Sequence, residues 1–181
     1  MSDASTGARR EEVRLRVHDA RWADAFDAEA DVLRGVLDPL TPLIEHIGST
    51  AVQGLVAKPL IDIALGFRHR AELERARGLL VEVGYDDRGD LGAAGGVVVA
   101  KGPLSERTHI LHLVELADPQ WARWLDFRDA LRADAARRDA YAALKIALAE
   151  RYPNDRKGYT QGKHMFIEQT ISQAEERESD G

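Results

Sequence analysis

The chain has 181 residues, with 25 Lys+Arg against 31 Asp+Glu for a formal net charge of −6. Its 44% hydrophobic and 31% charged residues are enough to build a core, which excludes wholesale disorder. The absence of cysteine excludes a disulfide framework, a zinc–thiolate centre and an iron–sulfur cluster, and the pI near 5.5 excludes an extended nucleic-acid surface while allowing a local cationic pocket.

No apolar run approaches the roughly 20 residues of a membrane-spanning helix. Met1 to Arg10 lacks the apolar centre of a signal peptide, so a cytoplasmic protein without a membrane partner is expected. The ends, 1–12 and 174–181, are charged and aperiodic and read as flexible, which leaves a single domain over 13–173.

In chain order, the apolar residues Trp22, Phe26, Val32, Leu33, Val36 and Leu37 have helical spacing and stop near Asp38-Pro39, since proline cannot continue a helix. A short strand at Leu43–Ile47 runs into Gly48-Ser49-Thr50. Pro59–Phe67 then alternates: Ile61, Ile63, Leu65 and Phe67 form one face, while Asp62 lies on the other among small residues. A helix over Arg70–Val83 is closed by Gly84. Tyr85–Gly102 reads as a hairpin with its turn in Asp90–Gly96 and a strand at Val97–Lys101, and Thr108–Glu115 is a further strand. Gln120 to about Gln173 is helical, divided near Ala133–Asp134 and at Tyr152–Asp155. Central strands flanked by helices predict an α/β (α+β) fold, a mixed sheet with helices mainly on one face plus C-terminal helices.

Several residues are candidates for chemistry. A Gly-Ser turn after a strand exposes backbone N–H groups, and Ser49 or Thr50 can cap a following helix and donate a hydroxyl to a phosphate oxygen. The same turn also makes sense as a capped bend that binds nothing. Asp62 is expensive in so apolar a strand unless it is paired, opens into a cleft or holds a metal such as Mg²⁺. His109 and His112 are three apart on a strand, so they face opposite ways and cannot share an ion. His112 joins Asp62 only if their strands are neighbours. Arg128, Lys145 and Lys163 each border an apolar helical stripe, the last two lying four residues after Tyr141 and Tyr159. Snorkelling explains any one of these cations, ion pairing with Asp62 or Glu45 is a second account, and a shared phosphate pocket explains all three.

The string His46-Ile47-Gly48-Ser49-Thr50-Ala51-Val52, then Gly54-Leu55 and Ala57-Lys58-Pro59-Leu60-Ile61-Asp62-Ile63, resembles the signature of the GrpB family. The likeness continues through His109, His112-Leu113-Val114-Glu115, Phe127 to Arg132, Tyr141, Lys145, Tyr159, Lys163 and Phe166-Ile167, and covers roughly 13–172. That family is placed in the nucleotidyltransferase superfamily, with a fold like the palm of polymerase β. The resemblance implies that Gly48, Ser49, Thr50 and Lys58 grip nucleotide phosphates. It also implies that Asp62, with His112, binds Mg²⁺ and takes part in catalysis, while Arg128, Tyr141, Lys145, Tyr159 and Lys163 complete the ligand site. This chain departs from the superfamily pattern at Ala64, where a second carboxylate belongs, from the family at Gln53, where proline is usual, and near Ala100, where an arginine is expected.

Two functions therefore compete at this stage. One is transfer of a nucleoside monophosphate from an NTP to a small acceptor. The other is non-catalytic binding of a nucleotide or phosphorylated metabolite, with a link to coenzyme A implied by family members fused to dephospho-CoA kinase. A purely structural protein with Asp62 in a permanent ion pair is the third possibility.

Overall fold

A computed structural model describes residues 13–91, 96–103 and 106–179. Five strands among them form one sheet: β1 (Leu43–Ile47), β2 (Ile61–Phe67), β3 (Asp86–Asp90), β4 (Val97–Lys101) and β5 (His109–Glu115), in the order β1-β2-β5-β4-β3. β2 and β5 are parallel and the other pairings antiparallel, so the sheet is mixed. The helices are α1 (Arg21–Val36), α2 (Arg70–Glu82), α3 (Pro119–Ala133), α4 (Ala135–Arg151), α5 (Arg156–Gly162) and α6 (His164–Ser179).

The alternation in β2 decides which face is which. Ile61, Ile63, Leu65 and Phe67 join Leu111 and Leu113 of β5 and Val97 and Val99 of β4 beneath Leu33 of α1 and Leu73, Ala76 and Leu80 of α2. Burying that contiguous apolar layer is the main favourable term in folding. On the opposite face, Asp62, Ala64 and Gly66 align with Ile110, His112 and Val114. Gly66 has to be bare there, because a Cβ would lie 2.4 Å from Leu116 and 2.9 Å from Trp121, so its absence lets α3 close on the sheet.

The C-terminal helices pack on one another, with α3 against β1 and β5 and with α3 and α4 over the loop between β1 and β2. Leu131 of α3 and Tyr141 of α4 bury Val52 and Leu55, and Leu148 of α4 and Tyr159 of α5 meet Val13. Three of these helices begin at aspartate caps: Asp118, Asp134 and Asp155 accept from the backbone N–H groups of Gln120, Arg137 and Gly158. The divisions expected near Ala133–Asp134 and at Tyr152–Asp155 are thus present. An additional break lies at Lys163, where Gly162 ends α5 against Leu148.

The tail differs from expectation. α6 runs to Ser179, past the boundary expected at 173. Its Glu- and Arg-rich end is made of good helix formers and needs no apolar stripe to extend a helix already begun. The expected flexible end at 1–12 and most of the expected turn in Asp90–Gly96 lie outside the described residues.

Candidate functional site

β1 ends at Ile47, which pairs with Asp62, and the chain reverses at Gly48 with φ +71. A Cβ at Gly48 would lie 2.7 Å from Asp62 Oδ2, so glycine both supplies the left-handed conformation and lets the turn stand against the carboxylate. Ser49–Ala51 form a single 3-10 turn whose cap is Gly48, without a side-chain capping bond. The capping role expected of Ser49 or Thr50 is therefore not what these hydroxyls do. Thr50 Oγ1 meets His46 Nε2 at 3.0 Å and donates to the Leu60 carbonyl, tying β1 to the entry of β2. Burial holds the His46 pKa down to about 4, so that imidazole is neutral at pH 7.

Ser49 receives a hydrogen bond from Lys145 Nζ at 2.7 Å, and the same ammonium donates to the Val56 carbonyl. Lys145 is only 2% exposed. Burial, reinforced by the Lys163 and Lys58 charges and opposed by Asp62, brings its pKa down to about 7. Lys163 lies over the Tyr159 ring at 4.6 Å, with Lys58 on the same ring at 5.2 Å. Burial, then the Lys58 charge, lowers Lys163 to about 8, while burial raises the Tyr159 phenol to about 12.

These groups enclose a cavity of ≈ 160 Å³ whose polar lining comprises Ser49, Thr50, Lys58, Asp62, Lys145, Arg156, Tyr159, Thr160 and Lys163. Four basic side chains thus surround one carboxylate. Two of the lining residues, Arg156 and Thr160, escaped the sequence reading. Their signal was present: 156, 159, 160 and 163 are spaced as one helical stripe.

Of the residues expected in the site, Gly48, His112, Arg128 and Tyr141 are not among those that line the pocket. Arg128 is 9% exposed and donates to Glu45 at 2.7 Å, to Asp129 at 2.8 and 2.9 Å and to the His46 carbonyl at 3.0 Å. It locks α3 to β1 and is not among the pocket's lining residues. Tyr141 is core, packed edge-on to Phe127 and stacked on Phe166, with its pKa raised by burial. It supports Lys145, whose Nζ stands 5.5 Å from its ring centre. Arg132, also unforeseen, anchors the Ser49 turn by two bonds to the Ala51 carbonyl at 3.0 and 2.8 Å.

His109 and His112 face opposite ways, as their spacing requires. His112 Nε2 is 3.3 Å from Asp62 Oδ1, its ring stands 5.2 Å from that of Trp124, and its buried Nδ1 has no hydrogen-bond partner among the described residues. His109, on the other face, bonds Thr108 Oγ1. Among the described residues no three His, Asp or Glu side chains are grouped to hold a metal ion. A two-ion phosphoryl-transfer centre needs carboxylates shared between both ions. Among the described residues His112 is the one further candidate ligand in contact with Asp62, and Ala64 holds the next position on its face, so the residues present do not fit such a centre.

Comparison with known proteins places this architecture. Residues 12–173 match the family model described as "GrpB protein". The chain belongs to the GrpB family. It is 35% identical to the glutamate-rich protein GrpB of Alkalihalophilus pseudofirmus over 92% of this chain and 98% of that one. It is 36% identical to YqkA of Bacillus subtilis over 86% of its own length, but spans only 45% of that longer protein. Among solved structures, GrpB from Enterococcus faecalis superposes with a TM-score of 0.80 at 32% identity, covering 91% of this chain and 98% of that one. The Cid1 poly(U) polymerase bound to MgGTP superposes with a TM-score of 0.55 at 12% identity, over 75% of this chain and 44% of Cid1. The fold of this GrpB-family chain is therefore nucleotidyltransferase-like. No helix among the described residues is long and apolar enough to cross a membrane.

Proposed function

We propose that the pocket beside Ser49 binds the phosphate groups of a nucleotide or another phosphorylated metabolite, and holds them without a divalent ion. The observation that carries this reading is the lining itself: Lys58, Lys145, Arg156 and Lys163 converge on one carboxylate, with the Ser49 and Thr160 hydroxyls beside them. Desolvated cations such as Lys145 and Lys163 are stabilised by an incoming anion. The ≈ 160 Å³ cavity lies below the roughly 300 Å³ at which ordinary small-molecule pockets begin, which suits phosphate groups with the rest of the ligand outside. The solved nucleotide complexes of Cid1, a distant relative in fold, favour a nucleotide as the bearer of those phosphates.

Asp62 favours a second reading, Mg²⁺-dependent transfer of a nucleoside monophosphate to a small acceptor. Thermal melting with inorganic phosphate, ATP and coenzyme A, each in EDTA and in Mg²⁺, separates the two. The first reading expects stabilisation in EDTA, about 2.7 kcal/mol at a hundredfold excess over Kd, that is lost in Lys163→Met. Stabilisation that needs Mg²⁺ and disappears in Asp62→Ala, together with Asp62-dependent pyrophosphate release, replaces it with the transferase. No shift with any ligand in either condition leaves a structural protein and overturns both.

A further inference from the structure

Lys145 is unlike the other lining cations. It is the deepest, and among the described residues no carboxylate lies within ion-pair distance of it. Its neighbours are the Ser49 hydroxyl at 2.7 Å, the Val56 carbonyl and the Tyr141 ring, with the charges of Lys58, Lys163 and Asp62 around it. A lysine that only pairs with phosphate needs no fixed contact of its own to a hydroxyl. A buried amine held by a backbone carbonyl at hydrogen-bond distance from a hydroxyl is instead arranged to take a proton.

We propose that Ser49 is a nucleophile for which Lys145 is the general base, and that its target is the phosphorus of a phosphoric anhydride held by Lys58, Arg156 and Lys163. The inference rests on the phosphate-binding reading above and deepens it, since it assigns Ser49 a bond rather than a contact. The deprotonated Lys145 keeps its bond to the Val56 carbonyl and turns its lone pair to Ser49, which then donates. Ser49 Oγ attacks phosphorus and the Oγ–P bond forms as the anhydride P–O bond breaks. The hydroxyl proton passes to Lys145 Nζ, and the rest of the anhydride leaves as an anion that needs no proton: the nucleoside diphosphate when the terminal phosphorus is attacked, pyrophosphate when the α-phosphorus is. The product is a serine phosphoester, with either a phosphoryl group or a nucleoside monophosphate on Ser49. Burial and the surrounding lysines supply a base poised near neutrality, with a pKa of about 7.

A fluorophosphonate ester tests this whatever the natural ligand is, because the same Oγ–P bond forms while fluoride leaves. The full chain is labelled across the pH range, mapped by peptide mass spectrometry and melted with inorganic phosphate in parallel. The expected result is modification of Ser49 and not of Ser2, Ser5, Ser105, Ser172 or Ser179, at a rate that rises with pH and levels off above about 7. Lys145→Arg and Lys145→Met should each slow it about a hundredfold, the lower range for loss of a general base. Either variant that melts as a folded protein suffices for this comparison. A Ser49 that stays unlabelled, or labels equally fast in a folded Lys145 variant, overturns the nucleophile. If phosphate still raises the melting temperature in that case, the binding reading survives alone. Labelling without a phosphate shift keeps the Ser49–Lys145 dyad but overturns its phosphoric anhydride target together with the binding reading.

Discussion

The molecule buries charge in two regions and treats it in opposite ways. Beneath α1, Glu29 is 3% exposed and accepts from the Tyr85 hydroxyl and, at 2.5 Å, from Lys101 Nζ. One carboxylate thus ties α1 to β4 and to the residue that leads into β3. Its counter-charge is supplied locally, and the Lys101 side chain, 43% exposed, stays in contact with water. Across the sheet, Lys145 is just as deep, yet among the described residues it meets a hydroxyl, a carbonyl and the Tyr141 ring, and no carboxylate within ion-pair distance. A fold that needs only stability pairs its buried charges, as Glu29 and Arg128 are paired. A buried lysine without that pairing has its pKa lowered and is ready to receive an anion.

The largest test of this contrast is Glu29→Ala. It orphans the buried Tyr85 hydroxyl while Lys101 swings into solvent, and urea denaturation should show a loss of about 3 kcal/mol. An effect near zero would mean that the knot is not a structural element. Gly48→Ala comes next. The left-handed backbone and the 2.7 Å approach to Asp62 should cost about 2 kcal/mol and weaken phosphate binding, read by denaturation and calorimetry.

Lys145→Met should move stability in the other direction. A folded pKa of about 7 lies below the unfolded value of 10.5, so the penalty of burying the charge is full below about 7 and fades as pH rises towards 10.5. The variant should gain about 1 kcal/mol at pH 6, after the orphaned Val56 carbonyl is counted, and lose that gain by pH 10. A gain that grows with pH would contradict the assigned protonation. Phosphate affinity in the wild type should fall roughly tenfold as pH rises through about 7 and about 8, where Lys145 and Lys163 lose their protons, while Ser49 reactivity rises. The smallest effect on binding is expected from Arg128→Ala, which should lower stability by about 1–2 kcal/mol yet leave phosphate affinity within about twofold. A large loss of affinity there would return Arg128 to the pocket.

Much of the fold was legible residue by residue. The two-residue period of Ile61, Ile63, Leu65 and Phe67 identified β2 and its buried face, and the odd spacing of His109 and His112 placed them on opposite faces. Lys145 and Lys163 were visible as cations bordering apolar stripes, four residues after Tyr141 and Tyr159, and they line the pocket with Tyr159, Ser49, Thr50, Lys58 and Asp62. Arg128 carried the same signature for a different reason. A cation beside an apolar stripe means only that the stem is buried, and the partner that receives its head comes from another element, here Glu45 of β1. Arg156 lay outside any large apolar stripe and so gave no such hint, although its helical spacing from Tyr159, Thr160 and Lys163 could have revealed it.

The chain's own order of residues determined which segments become helix or strand, where glycine and aspartate end or cap them, and which face of β2 turns away from the core. Those are consequences of near-neighbour backbone preferences and of the two side-chain periods, and each is written within about ten residues. Which charges meet was decided only when β2 paired with β5 and α4 and α5 closed over the β1–β2 loop. Lys145 and Ser49 are 96 residues apart, and Arg128 and Glu45 are 83. Electrostatic energy and pKa depend on distance and burial in space, so chemistry of that kind exists only once the chain has folded.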